Sequence, residues 1–322
     1  MSGKHQFEQQ IAALDALRRS IPDARLEPLR KALANKNNFI AAKAADLARE
    51  FSLQDLTPDL LNAFDRFFEK AVKADPQCWA KNAISRALAA FELQEPDVFL
   101  RGMRHIQLEP VWGGQSDTAG TLRATCALAL VQCRRLTEPD LLAHLIDLLA
   151  DKDKAVRVEV VRAIDQVGSP SASLLLRLRA ALGNDEPEVL GACYSGVLHI
   201  EGAGAVPWVT SFLSTADDAA GEAALALAAT HSVQAFHALR DRLEETRDPW
   251  FQSVLLSAIA LTRQDEAIEL LLDLVKSESL NAEGAIDAIL RSAPSDEVIR
   301  RLKTLTSGNA RLARVLAEQQ RS

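Results

Sequence analysis

The sequence predicts an all-α solenoid of about eight tandem helix pairs, with a capping helix at each end. Three observations carry this. The first apolar residue of successive odd helices recurs at Leu142, Leu174, Val206, Phe236, Ile268 and Val298, at steps of 30 to 32 residues. The even helices carry two columns, Cys126, Val160, Cys193, Ala224, Leu255 and Ile286, and four residues on Leu130, Ile164, Val197, Ala228, Ile259 and Leu290. Spacing of four puts both columns on one helical face. Composition agrees: 48% of residues are apolar but only 5% aromatic, with a single Tyr, a helical balance. A repeat of this period marks stacked units, each too small to bury its own apolar face.

The elements follow in order. Residues 1–23 read as an N-terminal capping helix with Ile11, Leu14 and Leu17 on one side, broken at Pro22 and Asp23. Residues 24–137 hold longer, less regular pairs. Leu26, Leu29 and Leu33 form the first odd helix and 39–51 its partner. Thr57-Pro58 opens the second pair, whose even helix starts near Asp75-Pro76, and Glu95-Pro96 opens the third. Pro suits a first helical turn, where its missing N–H is not needed. Residues 138–322 hold regular 30–34-residue units opening near Pro139, Pro170, Ala205, Val233, Asp265 and Ser295, closed by a polar helix over about 309–320. The three segments read as one continuous solenoid.

Net charge is −7 and uneven: residues 1–137 carry 19 Lys/Arg against 16 Asp/Glu, residues 138–322 carry 18 against 28. The acidic half repels phosphate backbones and argues against nucleic acid. No apolar run reads as a membrane span and the first residues lack a signal-peptide core, so the cytoplasm is expected. Cys78, Cys126, Cys133 and Cys193 lack CxxC spacing and read as buried, reduced hydrophobes. With no HExxH, GxSxG or phosphate-loop pattern, neither metal nor cofactor is called for.

The repeats resemble HEAT repeats, and their short, Ala-rich units resemble bacterial HEAT-like repeats of the phycobilin-lyase type. That family places an Asp before the second helix and an Arg six residues later, forming a ladder between neighbours. This chain has Asp117 with Arg123 and Asp151 with Arg157, while Asp185, Asp217 and Asp248 keep the Asp but Gly191, Ala223 and Val254 replace the Arg. The resemblance covers about residues 24–306. It implies a right-handed stack and speaks to fold, not activity. The Asp also has a local rationale, because it can accept the free N–H groups of a helix start.

Two surfaces are candidate sites. Residues 109–117 insert a loop with Trp112, Gly113 and Gly114, flanked by Arg101, Arg104, His105 and Arg123. Either these make an anion pocket walled by Trp112, or Trp112 folds back onto the neighbouring unit. The second surface is the concave one expected of a solenoid. Projecting the even helices puts Arg162, Ser195 and His199 on it, with rows that become small and nearly uncharged from Ala192 onward. Either this is a groove for a protein segment, or small residues simply let helices approach. The function expected is a non-catalytic scaffold binding a partner protein in that groove, with the oligomeric state unread. The alternative from resemblance is a HEAT-scaffold enzyme or ligand handler, attaching bilins or, less readily, acting as a DNA glycosylase. No residue here carries that chemistry over.

Overall fold

Side-chain caps set the helix starts. In the computed structural model, which describes residues 3–320, four helices of one layer open on capping Asn or Asp side chains and four of the other on Ser or Thr. Asn37, Asp217, Asp248 and Asn309 accept first-turn N–H bonds from Phe39, Ala220, Phe251 and Leu312. Thr137, Ser169, Ser232 and Ser295 do so for Asp140, Ala172, Ala235 and Val298. Each such cap contributes about 1 kcal/mol.

The helices divide into two compact units, Met1–Val167 and Gly168–Ser322. In the first, α1 (Gly3–Ala16) precedes α2 (Leu26–Leu33), α3 (Asn38–Glu50), α4 (Thr57–Phe68), the one-turn α5 (Ala71–Ala74), α6 (Trp79–Ala90) and α7 (Pro96–Met103). A hairpin of β1 (Leu108–Val111) and β2 (Gly114–Asp117) comes next, then α8 (Gly120–Val131), α9 (Glu138–Leu148) and α10 (Lys154–Val167). Helices α3, α6, α8 and α10 form one layer, with α2, α4, α7 and α9 packed on it and α1 against α3.

The second unit holds α11 (Pro170–Leu182), α12 (Pro187–Glu201), the short α13 (Val206–Thr210), α14 (Asp218–Ala229), α15 (Val233–Glu245) and α16 (Pro249–Leu261). It continues with α17 (Asp265–Lys276), α18 (Ala282–Arg291), α19 (Asp296–Thr306) and α20 (Ala310–Gln319). Here α12, α14, α16, α18 and α20 make one layer, and α11, α13, α15, α17 and α19 the other. Leu302, Leu312 and Leu316 bury one another's end of the unit. The stretch Pro187–Thr215 is apolar and long enough to cross a membrane by composition, but it bends at Gly202 (φ +62°) and 56% of its apolar 18-residue window is buried.

Burial follows the even-helix columns closely. All six residues from Cys126 to Ile286 are wholly buried, as are Leu130, Ile164, Val197 and Ile259. In α18, Ile289 takes the core place read for Leu290. The odd-helix column holds less evenly: Leu142, Val206 and Phe236 are buried, Ile268 and Val298 are half-buried, and Leu174 is exposed. Leu174 is turned outward, because Ala172, Leu176 and Ala180 occupy the core side of α11.

The 109–117 segment is not an irregular loop but a two-stranded hairpin. Val111 pairs with Gly114, leaving Trp112-Gly113 as a two-residue turn with Gly113 at φ +86°. That left-handed value is one only glycine adopts freely, as a type II turn requires.

Candidate functional site

On α12, Ser195 and His199 stand one turn apart and both reach solvent. The helix then stops at Glu201. Gly202 reverses the chain into the short turn Gly202–Ala205, which drops Ala205 and Val206 into the core. The next layer helix, α14, ends on Ala229 and Thr230. Between them lies an open trough of about 470 Å³ lined by Ser195, His199, Gly202, Ala203, Ala229 and Thr230. Its polar groups are largely satisfied at home: the Thr230 hydroxyl donates to the Leu227 carbonyl at 2.7 Å.

The rest of this face departs from the projected rows. Ala223, Ala226, Ala285 and Ala288 are buried, while Leu225, Trp250 and Leu261 are exposed by 41–46%. In α18 the face carries the Asp287–Arg291 pair, 2.8 Å apart. The floor beyond Ala192 is therefore neither small nor uncharged throughout. The sequence DAAGEAALALAA of α14 is apolar nearly all round, so packing, not amphipathicity, chooses its inward side. Small residues go inward where layer helices approach closely: a Cβ at Gly221 would sit 3.5 Å from the Trp250 ring.

Glu222 fills the space left where Gly191 lacks a side chain; a Cβ there would lie 2.5 Å from Glu222 Oε2. Burial, and then the Glu188 charge, push the Glu222 carboxyl above the ordinary range. A carboxyl held up in the folded state weakens the fold as pH rises past the ordinary value of 4.5. Glu222→Gln is thus expected to melt higher at pH 7, by about 0.5 kcal/mol, with no gain at pH 4. Equal melting shifts at both pH values would refute it.

In the first unit, Arg123 is the hub of a buried ladder. Its Nε and Nη2 donate to Asp151 at 2.7 and 3.0 Å, and Nη1 to Asp117 at 2.6 Å and to the His105 carbonyl at 3.0 Å. Arg157 Nη1 donates to the Asp151 carbonyl at 2.6 Å. Burial opposes ionisation of Asp117, yet N–H bonds from Gln107 and Ala119 with the Arg123 pair hold its carboxyl below the usual range. Arg123 is consequently unavailable to any ligand.

The residues read around the insertion are not brought together. Trp112 is fully exposed at the hairpin tip, neither folded back nor walling a pocket, beside exposed Leu108 and Val111. Arg101 pairs with Asp65 at 2.5 Å and lies 4.1 Å over the Phe68 ring. His105 packs edge-on to Phe68 and meets Gln107 Oε1 at 3.1 Å, with burial lowering its pKa. Arg104 and Gly114 are exposed. Arg162 lies on α10 paired with Glu159.

A second buried network escaped the sequence reading. Asp75 and Lys81 are both wholly buried, with Nζ 3.0 Å from Oδ2. Asp75 also accepts from Ala80 N, Lys81 N and Asn38 Nδ2 at 2.9 to 3.0 Å. Gln107 donates to the Asp75 carbonyl at 2.8 Å and to Glu109 at 2.7 Å, which ties the hairpin base to α6. Lys81 stands six residues after Asp75, the spacing of Asp117 and Arg123. The signal was present, but with lysine in the arginine place.

All four cysteines are free and buried. Burial raises every thiol, Cys78 to about 11 and Cys193 to about 12, so none is an activated nucleophile at neutral pH. Among the described residues no three His, Cys, Asp or Glu side chains converge as a metal site would require. No curated protein matches the chain. Residues 142–229 match the family model of HEAT repeats, whose members generally serve as protein-interaction scaffolds. The chain is thus an all-helical protein of paired layers that carries HEAT repeats over residues 142–229.

Proposed function

We propose that this chain is a non-catalytic interaction module holding a partner protein along the open face of α12, α14 and α16. A helix or extended segment of the partner lies in the Ser195–His199 trough and rests against Leu225, Trp250 and Leu261. The observation that carries this reading is the juxtaposition of exposed large apolar side chains with an uncharged trough, within a HEAT-repeat array. Apolar anchors beside a shallow polar rim are what a protein segment uses for affinity. The raised thiols argue against covalent catalysis, and the acidic second half against a phosphate backbone.

Affinity capture from the native host, compared between the parent chain and Ala229→Glu with Leu225→Glu, tests it. Recovery of the partner is expected to fall at least tenfold, a loss of about 1.4 kcal/mol or more, while helicity and melting hold. Undiminished recovery would remove this face from consideration. The trough volume also suits a compact apolar ligand. Native mass spectrometry of the purified chain separates that reading, since a retained small molecule would favour it over a protein segment.

A further inference from the structure

The outward face of α11 differs from that of every comparable helix in its unit. Counted from the cap residue, the third, seventh and eleventh positions of the odd helices face the core: Ala172, Leu176 and Ala180 in α11, Ala235, Leu239 and Leu243 in α15, Ala267, Leu271 and Val275 in α17. The fifth and ninth positions, and the thirteenth where the helix reaches it, face away. There α15 carries His237, Asp241 and Glu245, α17 carries Glu269 and Asp273, and α19 carries Arg300 and Thr304. In α11 the same three places are Leu174, Leu178 and Leu182, exposed by 67, 59 and 57%. Single exposed leucines are ordinary, but three in one stripe are not. The repeat supplies its own baseline, and α11 violates it three times.

We propose that this leucine stripe is the contact through which two copies of the chain pair, with α11 antiparallel to α11 of the partner about a two-fold axis at Leu178. Two features favour a second copy over another occupant. The stripe is symmetric about Leu178, with one leucine four residues to either side, so a two-fold sets Leu178 on Leu178 and Leu174 on Leu182. That is the self-complementarity an isologous interface requires. The charges on both flanks are also cancelled at home. Arg177 pairs with Glu201 and lies 4.4 Å over the Trp208 ring, and Arg179 pairs with Asp185. The Glu201 carboxyl, held by its hydrogen bond from Arg177, is lowered to about 2 and stays ionised throughout the neutral range. Two identical helices can therefore meet without repulsion between like charges, whereas an acidic or basic partner would find little to pair with.

Three leucines from each copy make a small interface, so the dimer is weak and depends on concentration. Sedimentation equilibrium of the full chain is expected to show a monomer–dimer equilibrium with Kd on the order of 10 µM. Leu178→Glu places two carboxylates together on the axis and weakens association at least about 100-fold. Because Leu178 is exposed, helicity and melting stay unchanged. In a Leu178→Cys variant a short bis-maleimide joins the two copies, and in Ser253→Cys, on the opposite layer, it does not. A parent chain that remains monomeric to about 100 µM, a dimer indifferent to Leu178→Glu, or equal cross-linking from position 253 would each overturn the proposal. So would a monomeric parent that binds lipid vesicles or a different protein through the stripe.

Discussion

Asp75→Ala is expected to destabilise the first unit by about 4 kcal/mol, in the range measured when one partner of a buried ion pair is removed. The loss goes beyond one Coulomb pair. Lys81 is left wholly buried without its carboxylate, keeping the Phe67 carbonyl at 3.3 Å as an acceptor. The N–H groups of Ala80 and Lys81 and the amide of Asn38 lose their acceptor together. The same carboxylate stabilises a backbone that resists its shape: Gln77 and Cys78 stand at φ +59° and +55°, a conformation costing about 1–2 kcal/mol per non-glycine residue. Lys81→Met should cost less, because Asp75 keeps three donors. Combining Asp75→Ala with Lys81→Met should cost less than the two singles summed. Urea midpoints read the stability, and amide exchange at the start of α6 reads the local release. Additive single and double effects would show that the pair acts as two separate groups.

Gly102→Ala should be nearly as severe, at about 2–3 kcal/mol, although alanine is the better helix former by about 1 kcal/mol. A Cβ on Gly102 would overlap Cys126 Sγ and lie 3.3 Å from Cys126 Cβ, where α7 crosses α8. Cys126 has no room to yield, being wholly buried in the core of the first unit. The overlap is with one sulfur atom, which makes the explanation testable. Adding Cys126→Ala should restore part of the stability lost to Gly102→Ala, giving a coupling of opposite sign to either single effect. If the double variant is as unstable as the sum of the singles, the crossing is not limited by that contact.

The ladder shows where legibility ended. Asp117, Arg123, Asp151 and Arg157 stood out as a spaced pair of pairs, and the structure links them through Arg123. Asp75 with Lys81 has identical spacing, but lysine stands in the arginine place and falls outside the Asp–Arg pattern. Lysine makes a different rung, a point charge on one carboxylate where Arg123 spans two. The hairpin was also within reach, since Trp112-Gly113 separates two extended segments by two residues. Exposed strands with Pro110, Gly114 and Ser116 lack the alternation that usually marks a hairpin. Leu174 departs from the column for the opposite reason: α11 is rich in leucine on several sides, so an apolar column can be drawn through either face.

By itself the sequence determined that this is an all-α array of helix pairs, where the pairs begin, and which even-helix columns form the core. Those features follow from local capping and from a period repeated often enough to fix its own register. Tertiary structure alone decided which side of α11 turns inward, that Ala223 and Ala226 of α14 are covered along with its predicted column, that the insertion is a projecting hairpin, and that Arg101 and Arg123 are committed to carboxylates. When a helix is apolar all round, or a charge has several carboxylates within reach, the choice rests on neighbours distant in the chain. Periodicity carries no record of that choice.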